Sequence, residues 1–229
     1  MGNIDVIPIE STFRLRVCDD ELPPYPETVN QQVDNIWSHM TRLTDWDLFD
    51  GKVFQLDEFH EDHITGTFNN YRYFYAQNCK VELKESLQIT LVAVTGVLKC
   101  EDRYLLAKRS SQVTQFPMKW EFAPSGGISI DYLTDHEVAY ENQLYDELIQ
   151  EVGMDEEFVI AIKPFLLIWD KDEMLVDICA HIEVDPLGMA TASYYSPEYV
   201  AYEWLKREEI PQFLKDHEAI PTTKIISDH

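Results

Sequence analysis

Residues 120–154 constrain the fold of this chain more than any other stretch. They read Trp-Glu-Phe-Ala-Pro-Ser-Gly-Gly-Ile, then a segment rich in Asp, His and Glu, then Asp146-Glu147-Leu148-Ile149-Gln150-Glu151-Val152-Gly153-Met154. A turn at Gly126-Gly127 is expected to feed a helix over residues 135–152, with Leu144, Leu148 and Val152 as its apolar stripe. Gly153 follows, where a left-handed C-terminal cap needs a residue without a Cβ. Glu147 and Glu151 then stand four residues apart and stack on one helical face. Neighbouring carboxylates repel, so a fold that holds them together often has a cation between them. Mg²⁺ takes a few carboxylate oxygens from protein and the rest from water and substrate phosphates. The alternative is a solvated acidic helix face, an ordinary feature of a chain with 42 acids.

A length of 229 residues suits one large domain, or a compact domain with a smaller companion, and 45% apolar residues supply an ample core. The net charge of −24 repels nucleic-acid backbones and anionic lipid, so neither nucleic acid nor membrane is an expected partner. A small nucleotide stays compatible, because bound divalent cations reverse the local field. Cys18, Cys79, Cys100 and Cys179 form no C-x-x-C pair and read as reduced thiols of a cytoplasmic protein. Residues 1–19 lack the apolar block of a signal peptide, and the longest apolar run, residues 91–98, is too short to cross a bilayer.

Two regions are expected. Residues 1–85 read as a small α+β N-terminal extension: a strand near residues 12–17, a helix over 27–43 with Val29, Val33, Ile36, Trp37 and Met40 on one stripe, and strands over 51–56 and 65–75. The aromatic group Phe68, Tyr71, Tyr73, Phe74 and Tyr75 is read as core and sheet flank, with a ring-stacking pocket as the alternative. Residues 86–229 read as an α/β domain. A hairpin spans residues 87–108 and turns at Glu101-Asp102; strands follow the helix over 158–169, 174–184 and 198–205, and a helix over 207–216 closes the chain.

The order of hairpin, glycine pair, Glu-bearing helix, capping glycine and two further strands resembles the Nudix hydrolase superfamily, whose box reads G-x5-E-x7-R-E-U-x-E-E-x-G-U. Glu147-Leu148 stand at the E-U positions, Glu151 at the second paired glutamate, and Gly153-Met154 at the end. Gly126 and Gly127 match the glycines that open the box, and residues 120–124 resemble the strand leading into it. Three positions depart from the pattern: Asp146 replaces the arginine, Gln150 replaces the first paired glutamate, and the span from glycines to helix is longer. Glu137 is the candidate upstream glutamate. A long, degenerate box behind an N-terminal extension resembles the branch that hydrolyses UDP-sugars such as UDP-glucose.

The resemblance implies an α/β/α sandwich with a mixed sheet, and Mg²⁺-dependent hydrolysis (Mn²⁺ as an alternative metal) of a nucleoside diphosphate linked to another moiety. A UDP-sugar would give UMP and sugar 1-phosphate. It also implies Glu147 and Glu151 as catalytic metal ligands, joined by Gln150 through its amide oxygen and by a main-chain carbonyl of Gly127 or Gly126. Glu141, Glu198 and Glu203 are candidates for a further acid. Asp146 is expected to face solvent, with a ligand role as the alternative. On the substrate side, Arg109 is a candidate for two-pronged phosphate contact, Trp120 for stacking, and Gly126 for close main-chain approach. His60 and His63 read as loop residues, and no P-loop or nucleophile elbow occurs. The competing reading is a Nudix-fold nucleotide-binding or regulatory protein that has lost catalysis.

Overall fold

A computed structural model describes residues 2–18, 23–43, 50–113 and 115–229. The chain divides into two compact units. The first comprises Met1–Ala93, Gly127–Tyr140 and Trp169–Asp177; the second comprises Val94–Gly126, Glu141–Ile168 and Ile178–His229. Helices and strands alternate through both, so the α/β class with a mixed sheet holds. No helix among the described residues is long and apolar enough to cross a membrane.

In the first unit the strand Arg14–Val17 pairs parallel with His63–Asn70 and antiparallel with Glu137–Val138, and Lys52–Phe59 pairs antiparallel with His63–Asn70. Its core follows from helical spacing. Val29 and Val33 of the helix Glu27–Leu43 pack with Phe74, Leu83, Leu87 and Ile89.

The sequence expectation fails at residues 71–75, which are helix (Tyr71–Cys79) rather than strand. Aromatic content favours a strand, but spacing decides here. Phe74 is buried, and Tyr71 and Tyr75, four residues apart, both present edges to Trp37 at 6.3 and 5.8 Å. The expected strand beginning at 87 starts instead at Leu91, after the short helix Val81–Leu87 and a left-handed Gln88 (φ 51°).

In the second unit the expected hairpin is present. Leu91–Cys100 and Arg103–Arg109 pair around Glu101-Asp102, with Lys99 opposite Tyr104. Arg103–Arg109 is then flanked by Trp120–Phe122 (Leu106 opposite Phe122) and by Tyr199–Lys206 (Leu106 opposite Glu203). The two long strands Val159–Asp170 and Leu175–Val184 follow the Glu-bearing helix as expected. Beyond the expected terminal helix, found at Ile210–Asp216, a further one occupies Pro221–Ser227.

Two local corrections bear on the site. The Gly-Gly segment is not a turn: Ser125–Gly127 is extended strand. The helix starts at Tyr140 rather than at 135, because Asp135 (φ 49°) and His136 (φ 68°) make the left-handed turn of a small hairpin between Leu133–Thr134 and Glu137–Val138. Such dihedrals cannot continue a right-handed helix. Glu137 therefore lies in that hairpin, 3.7 Å from Arg16, and is not a helix-borne ligand.

Candidate active site

The helix Tyr140–Glu147 widens into a π turn over Leu148–Val152. Leu144, Leu148 and Val152 are wholly buried, as the stripe requires, and anchor the segment from one side. Gly153 ends it in the left-handed conformation (φ 68°), its N–H donating to the carbonyls of Ile149 and Leu148. π turns of this kind occur frequently at functional sites.

Glu151 is only 2% exposed. Its Oε2 accepts a hydrogen bond from the Ser125 N–H at 2.8 Å, which ties the π turn to the strand bearing Gly126. Glu147, one turn earlier, accepts from Gln143 Nε2 at 2.7 Å. Gly126 is necessary for this placement, since a Cβ there would overlap the Glu147 carboxylate. The two carboxylates thus lie against adjacent residues of one strand, Glu151 at the Ser125 N–H and Glu147 beside Gly126.

Burial and mutual repulsion disfavour the charged forms. Burial pushes the Glu147 carboxyl up to about 7; the Gln143 amide opposes this, and the charges of Glu198 and Asp146 add to it. Glu151 is raised well above the usual carboxylate range by burial first, then by the charges of Glu147 and Glu198, with the Ser125 amide opposing. Of the three further acids considered, Glu198 is therefore the one whose field reaches both glutamates. Asp146 is half-buried rather than turned fully to solvent.

The other candidates have different surroundings. Gln150 is exposed. A Cβ on Gly127 would meet only the Val53 side chain, at 3.8 Å. Trp120 is 6% exposed and presents its face or edge to Phe213 and His217 at 4.9 and 5.9 Å, so it is core. Arg109 is engaged: its guanidinium pairs with Glu121, and its Nε donates to the Gln115 carbonyl at 3.0 Å. Among the described residues, no group of three or more His, Cys, Asp or Glu side chains is arranged to hold a metal ion.

Sequence reasoning missed Glu121, Tyr199 and Tyr202. Glu121 is 4% exposed, and burial raises its pKa although the Arg109 charge opposes. Tyr199 donates to Glu121 Oε1 at 2.8 Å. A signal was available: a lone acid between two large aromatics in a short strand marks a site covered on both faces, where a charge needs a partner. The hairpin register then offers one, with Lys108 opposite Trp120 and Arg109 one step beyond.

No family model matches the chain, and no curated protein sequence does. Among solved structures the chain is similar to DR0079 from Deinococcus radiodurans, with a TM-score of 0.53 at 13% identity, covering 77% of this chain and 97% of that one. A NUDIX hydrolase from Alicyclobacillus acidocaldarius aligns with a TM-score of 0.46 at 10% identity over 60% of this chain and 89% of its own. An Ap4A hydrolase from C. elegans aligns with a TM-score of 0.40 at 15% identity over 55% and 86%. Of these three only the first exceeds 0.5, and at that identity it speaks for the fold alone.

Proposed function

We propose that this chain is a Nudix-type pyrophosphohydrolase that cleaves the diphosphate bond of a nucleoside diphosphate joined to another moiety, with a UDP-sugar as the leading substrate class. Residues 86–229 form the catalytic region in this reading and residues 1–85 its N-terminal extension, working in the cytoplasm on a small molecule. The observation that carries it is the Glu147/Glu151 pair, Glu147 ending the helix and Glu151 buried in the π turn that follows, with Gly126 cleared of any side chain beside Glu147. The UDP-sugar preference rests on the sequence layout, the long degenerate box behind an extension.

The pair suits a hard divalent cation such as Mg²⁺ or Mn²⁺. Two close carboxylates with raised pKa values lose their mutual repulsion when a dication joins them, and oxygen is the ligand such ions take. Glu147 and Glu151 would hold it, with Glu198 nearest in charge to assist, and main chain, water and substrate phosphate completing the shell. Bound there, the ion would offset charge on the diphosphate oxygens. The protein's own share is positional. Ser125 and Gln143 orient the two carboxylates, and the buried Leu144, Leu148 and Val152 make their platform rigid.

The test is hydrolysis of a panel that includes UDP-glucose, ADP-ribose and diadenosine tetraphosphate, with Mg²⁺ present and phosphate release coupled to a phosphatase. Turnover of a UDP-sugar that is lost in Glu151→Gln supports the proposal. Absence of turnover above that control across the panel removes it. Asp146 favours a second reading, a nucleotide-binding protein without turnover, because it replaces the arginine of the box and its charge adds to those on Glu147. Nucleotides would then raise the melting temperature with or without Mg²⁺.

A further inference from the structure

The strand Tyr199–Lys206 contributes two phenols to the neighbourhood of Glu151. Side chains three apart on a regular strand point to opposite faces. Here the pairing with Arg103–Arg109 slips: Tyr199 lies opposite Arg109 and Ala201 opposite Lys108, leaving Val200 as an extra residue. A bulge of this kind re-aims the side chains beyond it. The Tyr199 and Tyr202 rings consequently meet edge to face, centroids 5.8 Å apart. The Tyr202 hydroxyl donates to the main-chain carbonyl of Glu151 at 2.6 Å. That carbonyl lies in the last turn of its helix, where main-chain acceptors lack intrahelical donors. The Tyr199 hydroxyl donates to Glu121, itself paired with Arg109, and lies 3.5 Å from the Ser125 hydroxyl. Ser125 in turn holds the Glu151 carboxylate through its N–H.

We propose that Tyr202 is a positioning residue for Glu151: its hydroxyl pins the main chain of the π turn so that the Ser125 amide can hold the carboxylate in place. The Val200 bulge makes this possible, by turning Tyr202 onto the side where Tyr199, Glu121 and Arg109 already form a fixed wall. Glu151 is thus gripped at both ends, by a phenol on its main chain and an amide on its side chain. The catalytic consequence rests on the hydrolase reading above; the tether itself does not.

Tyr202→Phe tests this, since it keeps the ring and removes only the hydroxyl. Tyr73→Phe, which loses a phenol bond to Asn30 in the first unit, is the control. In metal-free protein, amide hydrogen exchange of Ser125, Glu151 and Val152 is expected to quicken about tenfold in Tyr202→Phe and to stay unchanged in the control. Unchanged exchange at those amides overturns the proposal. On a hydrolysed substrate, kcat should fall about tenfold with KM within about twofold, as for an interaction felt at the transition state. Quickened exchange with an unaltered kcat would overturn the catalytic role of the tether. Absence of turnover in the wild type defeats the hydrolase reading alone, and exchange still decides whether Tyr202 holds Glu151.

Discussion

Gly126→Ala should separate stability from function at the proposed site. The strand around Gly126 has no positive φ, so alanine meets no backbone strain there. Replacing a strand glycine lowers the entropy of the unfolded chain and stabilises by about 0.4–1 kcal/mol. Against this, the new Cβ would overlap the Glu147 carboxylate, the end of a flexible side chain, which must swing aside and leave Gln143. Losing a hydrogen bond to a charged group costs about 1.5–3 kcal/mol. The net loss is about 1–2 kcal/mol, or a fall of roughly 2–8 °C in Tm for a chain of this length. The functional cost is larger, since a misplacement of about 1 Å at a reacting centre can cost roughly 100-fold in rate. Thermal unfolding monitored by circular dichroism, alongside UDP-sugar hydrolysis and Mn²⁺ titration, tests both sides. The reasoning is refuted if the variant keeps more than half of wild-type kcat/KM, or if it fails to fold while Glu147→Ala folds normally.

Three further outcomes are expected. Because the Glu147 pKa is raised in the folded state to about 7, the folded protein holds its proton longer than the unfolded chain does. Stability from this group is full below pH 4.5, is lost as pH rises through 7, and amounts to about 3 kcal/mol. Denaturant titrations without metal should show that decline, Mg²⁺ should reduce it, and an equal slope in Glu147→Gln would contradict the assignment. Arg109→Met strips the buried Glu121 of its counter-charge and should cost about 3–5 kcal/mol, with partial recovery on adding Glu121→Leu. An unchanged Tm with abolished turnover would instead give Arg109 to the substrate. Gly153→Ala forces a Cβ into the left-handed region and onto Ser193, and should lower stability by about 1–3 kcal/mol in the same unfolding assay.

Local features of the chain were legible where near neighbours decide them. The cap at Gly153, the stripe Leu144–Leu148–Val152 and the turn at Glu101-Asp102 depend on conformational freedom and periodicity, which residue identity determines directly. Residues 71–75 and 135–139 misled for the opposite reason. Aromatic content and acidic polarity are weak guides to backbone conformation, and packing against Trp37 or pairing with Arg14–Val17 overrides them.

The site divides along the same line. Residue spacing by itself determined that Glu147 and Glu151 share a face, because one helical turn relates them. Tertiary structure alone decided that both lie in poor contact with water, that Gly126 clears space for one and Ser125 grips the other, and that Arg109 answers Glu121 rather than standing open. It also set Tyr202 against Glu151, 51 residues away in sequence, through a bulge at Val200. Proximity along the chain is written in the order of residues. The desolvation and pairing of a charge depend on what distant strands bring beside it, and that is settled only when the chain has folded.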